Sequence, residues 1–221
     1  MKNWYQLTES ETLDKLGVTS EGLSSQQADS LLEKHGKNVL EESKKKSVFQ
    51  VFLSQFADLM VIILIIAAIV SMFSGSVEST IVIFAVITLN AILGTVQHVK
   101  AEKSLESLKS LSSPSAKVIR DGRKIEIDSE NIVPGDIVVL EAGDLVVADG
   151  RIINNYSLQV NESSLTGEST NIDKSVETIE KEVPLADRTD MVFSGSLVTY
   201  GRAIVVVTET GMNTEIGKIA T

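Results

Sequence analysis

One five-residue stretch concentrates the groups that could do chemistry: Leu165-Thr166-Gly167-Glu168-Ser169. A carboxylate, Glu168, directly follows a glycine and sits between two hydroxyls, Thr166 and Ser169. The stretch lies between two β-patterned segments, so it reads as an acid-tipped loop. Taken alone, Gly-Glu-Ser is ordinary turn chemistry. What such an acid would act on depends on the rest of the chain. Glu162, three residues before the loop, is a second acid near it and reads as a surface charge.

Composition removes several alternatives. The 221 residues carry 20 Lys+Arg against 30 Asp+Glu, a formal net charge of -10. That balance argues against nucleic acid as the main partner, because a phosphate-binding surface needs clustered cations. No cysteine is present, which excludes a disulfide framework, a thiolate zinc site and a cysteine nucleophile. With only His35 and His98, a histidine-rich metal site is excluded as well. No Gly-rich Walker phosphate loop occurs.

Two apolar runs set the next constraint. Residues 56–73 and 79–99 carry no charge past Asp58. A run of this length nearly crosses a hydrocarbon core of about 30 Å at about 1.5 Å per residue. Only a short link separates them, and more than fifty polar residues precede the first, which disfavours a signal peptide. Lys44, Lys45 and Lys46 precede the first run, and Lys100 and Lys103 follow the second. The excess of cations on these flanks places both tails in the cytoplasm and the link outside. Glu78, near that link, reads as a solvated loop acid. The second helix is expected to continue as a stalk, with Leu105, Leu108 and Leu111 on one stripe, and to end at Ser112-Ser113-Pro114. Asn90 and Gln97 are expected to make helix–helix hydrogen bonds, and His98 reads as a snorkelling polar residue.

The remaining segments position the loop. Residues 1–50 read as two short helices and a linker, with capping-box spacing at Thr8/Glu11 and Ser24/Gln27 and a stop at Gly36. Leu13, Leu16, Ala28, Leu31 and Leu32 form small apolar faces, too little to bury a core alone. Residues 116–210 are β-patterned, with a hairpin around Asp121-Gly122 and no βαβ spacing. A compact antiparallel β-domain is the reading from the residues. Residues 214–220 look like the start of a helix capped at Thr214.

Five motifs in order carry a family resemblance. They are Ile132-Val-Pro-Gly-Asp136, Gly143-Asp-Leu-Val-Val-Ala-Asp-Gly150, Leu165-Thr-Gly-Glu-Ser169, Phe193-Ser-Gly-Ser196 and Thr210-Gly-Met-Asn-Thr-Glu-Ile-Gly-Lys-Ile-Ala220. Behind two spans and a stalk, this set resembles the P-type cation-transporting ATPases. Residues 22–40 resemble that family's N-terminal segment, and the flanks look most like its calcium-pump branch.

The resemblance implies an α+β membrane protein. Residues 1–50 would be the N-terminal helical part of the actuator domain, docked on the β-region. Residues 56–111 would be a two-helix transmembrane hairpin with a cytoplasmic stalk. Residues 116–210 would be a distorted double-sheet antiparallel actuator domain, and residues 211–221 the start of a stalk helix toward a third span. The protein would sit in a bacterial plasma membrane, with its N-terminus and actuator domain cytoplasmic.

The resemblance also implies a role for the loop. In such pumps an aspartate on another domain is phosphorylated by ATP and then hydrolysed. Glu168 would orient and deprotonate the attacking water, which is general-base work. Gly167 would let the backbone approach the phosphate, and Thr166 and Ser169 would help hold water or phosphate. The proline-glycine and glycine-aspartate turns of the other motifs would serve shape.

Some positions depart from the family pattern. Val147 stands where proline is common, and Asn161 where aspartate is common. Asn155-Tyr-Ser and Asn161-Glu-Ser match glycosylation sequons without meaning in a cytoplasmic domain. No Asp-Lys-Thr-Gly-Thr phosphorylation motif and no nucleotide-binding domain occur in these residues. ATP and Mg2+ would therefore serve the complete enzyme outside this segment, which itself would bind no cofactor and be inactive alone.

The implied partners are the lipid membrane, the pump's phosphorylation domain, its remaining transmembrane helices and a transported cation. Ca2+ is the cation expected from the flanks, although pumps for Mn2+, Na+, K+ or H+ share these motifs. The alternative is a naturally short, non-catalytic membrane module that docks on or regulates a pump. The helix cut at Thr221 favours a truncated chain over that alternative.

Overall fold

Local signals start the N-terminal helices. In the computed structural model, which describes residues 3–40, 46–111, 114–167 and 169–220, helix α1 (Glu9–Leu16) and helix α2 (Ser25–His35) both begin with complete capping boxes. Thr8 and Glu11 serve the first, Ser24 and Gln27 the second. Each pair satisfies two backbone N–H groups that a helix start leaves without partners. Gly17 and Gly36 end the two helices.

Residues 42–112 form one of two compact units. Helix α3 (Val48–Gln55) and helix α4 (Leu59–Phe73) meet at a 62° bend, and helix α5 is a single element, Val77–Leu111. The bend corrects the reading of residues 56–73 as one run of helix. Asp58 breaks it by accepting a hydrogen bond from Met60 N–H at 2.9 Å, so a new helix starts at Leu59. At 15 residues, α4 is about 22 Å long and falls short of a hydrocarbon core of about 30 Å. Among the described residues only α5 is long and apolar enough by itself, over Val77–Leu105, while α3 and α4 qualify together as one broken span. Its 35 residues give α5 a length of about 52 Å, well beyond the hydrocarbon thickness.

Small and branched residues line the seam of this unit. Val61 and Ala68 of α4 and Ile87, Ala91 and Thr95 of α5 are buried. Thr95 returns its hydroxyl to Ala91 O at 2.7 Å, so no polar group is stranded there. Asn90 and Gln97 are exposed and do not lie in the seam between α4 and α5. Glu78 and His98 are likewise exposed. Lys44, Lys45, Ser112 and Ser113 lie outside the described residues.

The second unit joins residues 1–41 to residues 113–221. Its seven strands are β1 (Ser115–Arg120), β2 (Arg123–Asp128), β3 (Ile137–Glu141), β4 (Asp149–Asn161), β5 (Asn171–Asp173), β6 (Met191–Val192) and β7 (Leu197–Glu209). All pair antiparallel, in the order β2-β1-β3-β7-β4-β5, with β6 also on β4. The β1–β2 turn is Asp121-Gly122, with both residues at positive φ, the geometry that suits a two-residue hairpin.

Two expectations change here. Residues 150–155 (GRIINN) and 156–160 (YSLQV), whose patterns read as two strands, form one thirteen-residue strand, β4. Its pairing with β7 shifts register at several irregularities, which bend both strands. The double sheet is thus one continuous, curled sheet.

Alternation along the strands gives the sheet two apolar faces. Val138, Ile152 and Val205 join one cluster, which also takes Val160 and Val198 from the far ends of β4 and β7. Ile137, Ile153 and Val206, each one residue along, join the other. On that second face sit Val18, Leu23 and Ala28, flanked by Leu13, Leu16, Leu31 and Leu32. The N-terminal helices therefore bury their narrow apolar faces on the sheet.

Candidate functional site

The acid-tipped loop caps the β4–β5 hairpin at one edge of the sheet. Strand β4 ends at Asn161, a single helical turn, α6 (Ser163–Thr166), follows, and Asn171 pairs back onto Asn161. Asn161 organises the entry. Its Oδ1 accepts from Ser163 N at 3.1 Å and from Ser163 Oγ at 2.6 Å, and its Nδ2 donates to Ser169 O at 3.1 Å. An asparagine here bonds in both directions, as donor and acceptor, which an ionised aspartate could not do.

Gly167 ends the turn in the left-handed region, at φ 75°. An added Cβ there would meet nothing within 4 Å, so the glycine answers to backbone conformation and to open space outside. Thr166 sends its hydroxyl back to Glu162 O at 3.1 Å. Ser169 is exposed beside Gly167. Glu168 lies outside the described residues; the structure brings a half-buried Thr166 and the exposed Gly167 and Ser169 together on one loop.

A buried ionic layer lies behind this loop. Glu162 is not a surface charge. Its side chain is 0% exposed and pairs with the equally buried Lys174 Nζ at 2.5 Å. Burial pushes Glu162 up and Lys174 down, and each charge pulls the other back. Next to them Arg151 Nε meets Asp190 Oδ2 at 3.0 Å, both fully buried. Arg151 also donates to Ile152 O, Val176 O and Leu7 O, tying the N-terminal segment to the strand. Burial raises Asp190 to about 6 against the pull of Arg151.

The Phe193-Ser-Gly-Ser196 turn forms the floor. Phe193 is 1% exposed, with the Lys174 ammonium 5.5 Å from its ring centroid. Ser164 Oγ donates to Gly195 O at 3.1 Å, so this turn and the acid-tipped loop hold one another.

The other motifs are scaffolding with named bonds. Asp136 takes Arg120 Nε at 2.8 Å and Nη2 at 2.7 Å, and it also accepts from Val133 N. Asp149 Oδ1 accepts from Ser194 N at 2.8 Å and Oδ2 from Glu215 N at 2.7 Å. One carboxylate thus joins β4, the phenylalanine turn and the first turn of helix α7 (Glu215–Ile219). Burial raises Asp149 to about 6 despite these bonds.

Asn38, not singled out by sequence, links three segments. It donates to Ser129 O at 3.0 Å and Val147 O at 2.8 Å, and it accepts from Gly211 N at 2.8 Å. Its only signal in the sequence was its place in the N-terminal stretch that carried the resemblance. Beside Asp149 a cavity of about 260 Å³ is lined by Trp4, Arg188, Glu215 and Lys218 among others. Within it Lys218 pairs with Glu215 at 2.8 Å, and Trp4 Nε1 donates to Glu209 Oε1 at 2.9 Å. Among the described residues no group of three acids or histidines is placed to hold a metal ion.

A curled antiparallel sheet with helices docked on one face and a Thr-Gly-x-Ser loop at its edge define an actuator-type module, in a chain that also holds a helix long and apolar enough to cross a membrane. Residues 110–221 match the family model of the P-type ATPase actuator domain, and residues 4–71 match that of the cation transporter/ATPase N-terminus. The chain belongs to the P-type ATPase family.

Among its relatives is a calcium-transporting ATPase of Listeria monocytogenes, 48% identical over 98% of this chain and 24% of that protein. Calcium-transporting ATPase 1 of Bacillus cereus is 44% identical over 100% of this chain and 26% of its own length. A cation-transporting ATPase of Synechocystis is 40% identical over 93% of this chain and 22% of its own. The chain spans about a quarter of the length of these relatives.

Proposed function

We propose that this chain is the N-terminal part of a pump that hydrolyses ATP to move a cation, Ca2+, across a bacterial plasma membrane. The observation that carries the reading is 48% identity, over nearly all of this chain, to a protein named as a calcium-transporting ATPase. The exposed position of Gly167 and Ser169 at the sheet edge, with Thr166 half-buried beside them, supports it. On this reading α3 with α4 is the first span, α5 is the second span and stalk, and the sheet unit is cytoplasmic. ATP and Mg2+ act on parts of the pump beyond these residues, which supply no ligands for them.

The chemistry assigned to this chain is hydrolysis of an aspartyl phosphate carried by another domain. Glu168 holds one water by hydrogen bond and takes its proton as the water oxygen attacks phosphorus. The aspartate carboxylate leaves with the electron pair of the broken P–O bond, and inorganic phosphate is the product. Gly167, without a Cβ, lets the loop backbone come near the phosphate. Thr166 and Ser169 offer hydroxyls to the water or the phosphate oxygens.

The test is Glu168→Gln in the complete pump. Phosphoenzyme formation from ATP is expected to persist and its decay to slow by about 10²-fold or more, the scale of a lost general base. Unchanged decay would remove Glu168 from the mechanism. ATP hydrolysis by the complete pump in inverted vesicles, lost on omission of Ca2+ and not restored by Mn2+, Na+ or K+, tests the cation.

A further inference from the structure

The acid-tipped loop is held at its entry by the α6 turn and by Ser164 on Gly195 O, but its exit rests on little strand pairing. Strand β5 is three residues long, lies at the end of the strand order and pairs only with β4. A short edge strand specifies its register weakly. A slip of β5 would shift the exit of the loop, at Ser169, against an entry anchored at Ser163 and Ser164.

The Glu162–Lys174 pair bridges the two ends of this segment. Glu162 begins the turn, and its carbonyl accepts from Leu165 N at 2.9 Å, Thr166 N at 3.0 Å and Thr166 Oγ1 at 3.1 Å. Lys174 directly follows β5. Its N–H donates to Leu158 O at 3.0 Å and its carbonyl accepts from Asn155 Nδ2 at 2.5 Å. The two side chains meet at 2.5 Å with no solvent exposure. Among the described residues neither the Glu162 oxygens nor Lys174 Nζ has a further hydrogen-bond partner. Each charge therefore depends on the other, and a slip of β5 would strand both in an apolar setting, which is costly. An apolar pair of similar volume would fill the space but would tolerate sliding. An ionic pair disfavours every register that separates the charges, a role that buried polar groups serve in some folds.

We propose that Glu162 and Lys174 are positioning residues for phosphoenzyme hydrolysis: their buried pair clamps the entering and leaving ends of residues 163–173, so that the loop presents Thr166 to Ser169 in one geometry. This rests on the hydrolytic reading of the loop given above. Neither side chain touches the phosphate. Both act through the loop.

The experiment uses the complete pump in native membranes and follows phosphoenzyme formed from ATP and its decay after a chase. Three variants are compared with the parent: the charge-free, volume-conserving double Glu162→Met/Lys174→Met, the conservative Lys174→Arg, and Glu168→Gln. The double variant avoids leaving one buried charge alone, so it is the one suited to retain the fold. It is expected to form phosphoenzyme at the parent level and to lose it tenfold to a hundredfold more slowly, the scale of an ångström-sized misplacement. Lys174→Arg, which keeps the charge, is expected to stay within about threefold of the parent, a small part of that loss.

Parent-like decay in the double variant, with Glu168→Gln slow, overturns the positioning role and leaves the hydrolytic reading standing. Loss of phosphoenzyme formation in the double variant also overturns it, since the pair would then support the fold at large. Parent-like decay in Glu168→Gln overturns the hydrolytic reading, and this inference with it.

Discussion

Asp149→Asn tests the buried electrostatics of the sheet unit at a single group. The Asp149 carboxylate accepts two backbone N–H bonds, from Ser194 and Glu215, yet burial raises its pKa from 3.8 to about 6. In the unfolded chain it returns to the ordinary value. Between about 3.8 and 6 the folded state then binds more protons than the unfolded state, so stability falls as pH rises through that window. The full effect is about 2.2 units, or about 3 kcal/mol at about 1.36 kcal/mol per unit.

Roughly 2.4 kcal/mol of that falls between pH 4 and pH 7. Asparagine has a similar shape and no titration. The bond it loses costs the same at every pH, and Asp190 titrates in both proteins. The difference, parent minus variant, therefore isolates Asp149. The assay is urea unfolding of the chain in detergent at pH 4 to 8, followed by fluorescence of Trp4, the single tryptophan, which bonds Glu209 in the folded unit. The parent is expected to lose about 2.4 kcal/mol relative to the variant as pH rises from 4 to 7. A difference constant within about 0.5 kcal/mol would refute a buried, proton-hungry carboxylate at this junction.

Three further outcomes are expected. Gly167→Ala should destabilise by only about 1–2 kcal/mol, the cost of a left-handed non-glycine residue, because open space surrounds the site. In the complete pump it should slow phosphoenzyme decay more than formation, which chase kinetics would show. Leu23→Ala removes a side chain 2% exposed between α2 and the sheet. It should cost about 2–5 kcal/mol, measured by the same urea titration. A glycosylation acceptor inserted between α4 and α5, expressed in microsomes, should be modified if the link faces away from the cytoplasm, whereas one placed in the β1–β2 turn should not. The reverse pattern would invert the proposed orientation.

Where a signal was local, the sequence carried it. Both capping boxes, the Asp121-Gly122 hairpin and the helix cap at Thr214 need only residues within a few positions of each other, and all four are present. The apolar length of α5 was equally legible, because a long uncharged run states its own requirement. The motif order was enough to point to the family that the comparisons show.

What the tertiary structure alone decided concerns charge and continuity. Glu162 looked like a surface acid because its partner lies twelve positions away across a strand and a turn, and burial depends on that partner. Arg151 with Asp190, Arg120 with Asp136, and the Asn38 contacts join residues 16 to 173 positions apart. No periodicity reports such pairs, since an ionic side chain has the same letter whether solvated or buried. The fusion of two strand patterns into β4 was hidden for a related reason: its irregularities are set by pairing with β7, a strand about fifty residues away. The sequence by itself determined the locally capped elements, the long apolar helix and the family. Only the packed sheet decided which charges stand behind the loop, because desolvation is a property of the whole enclosure.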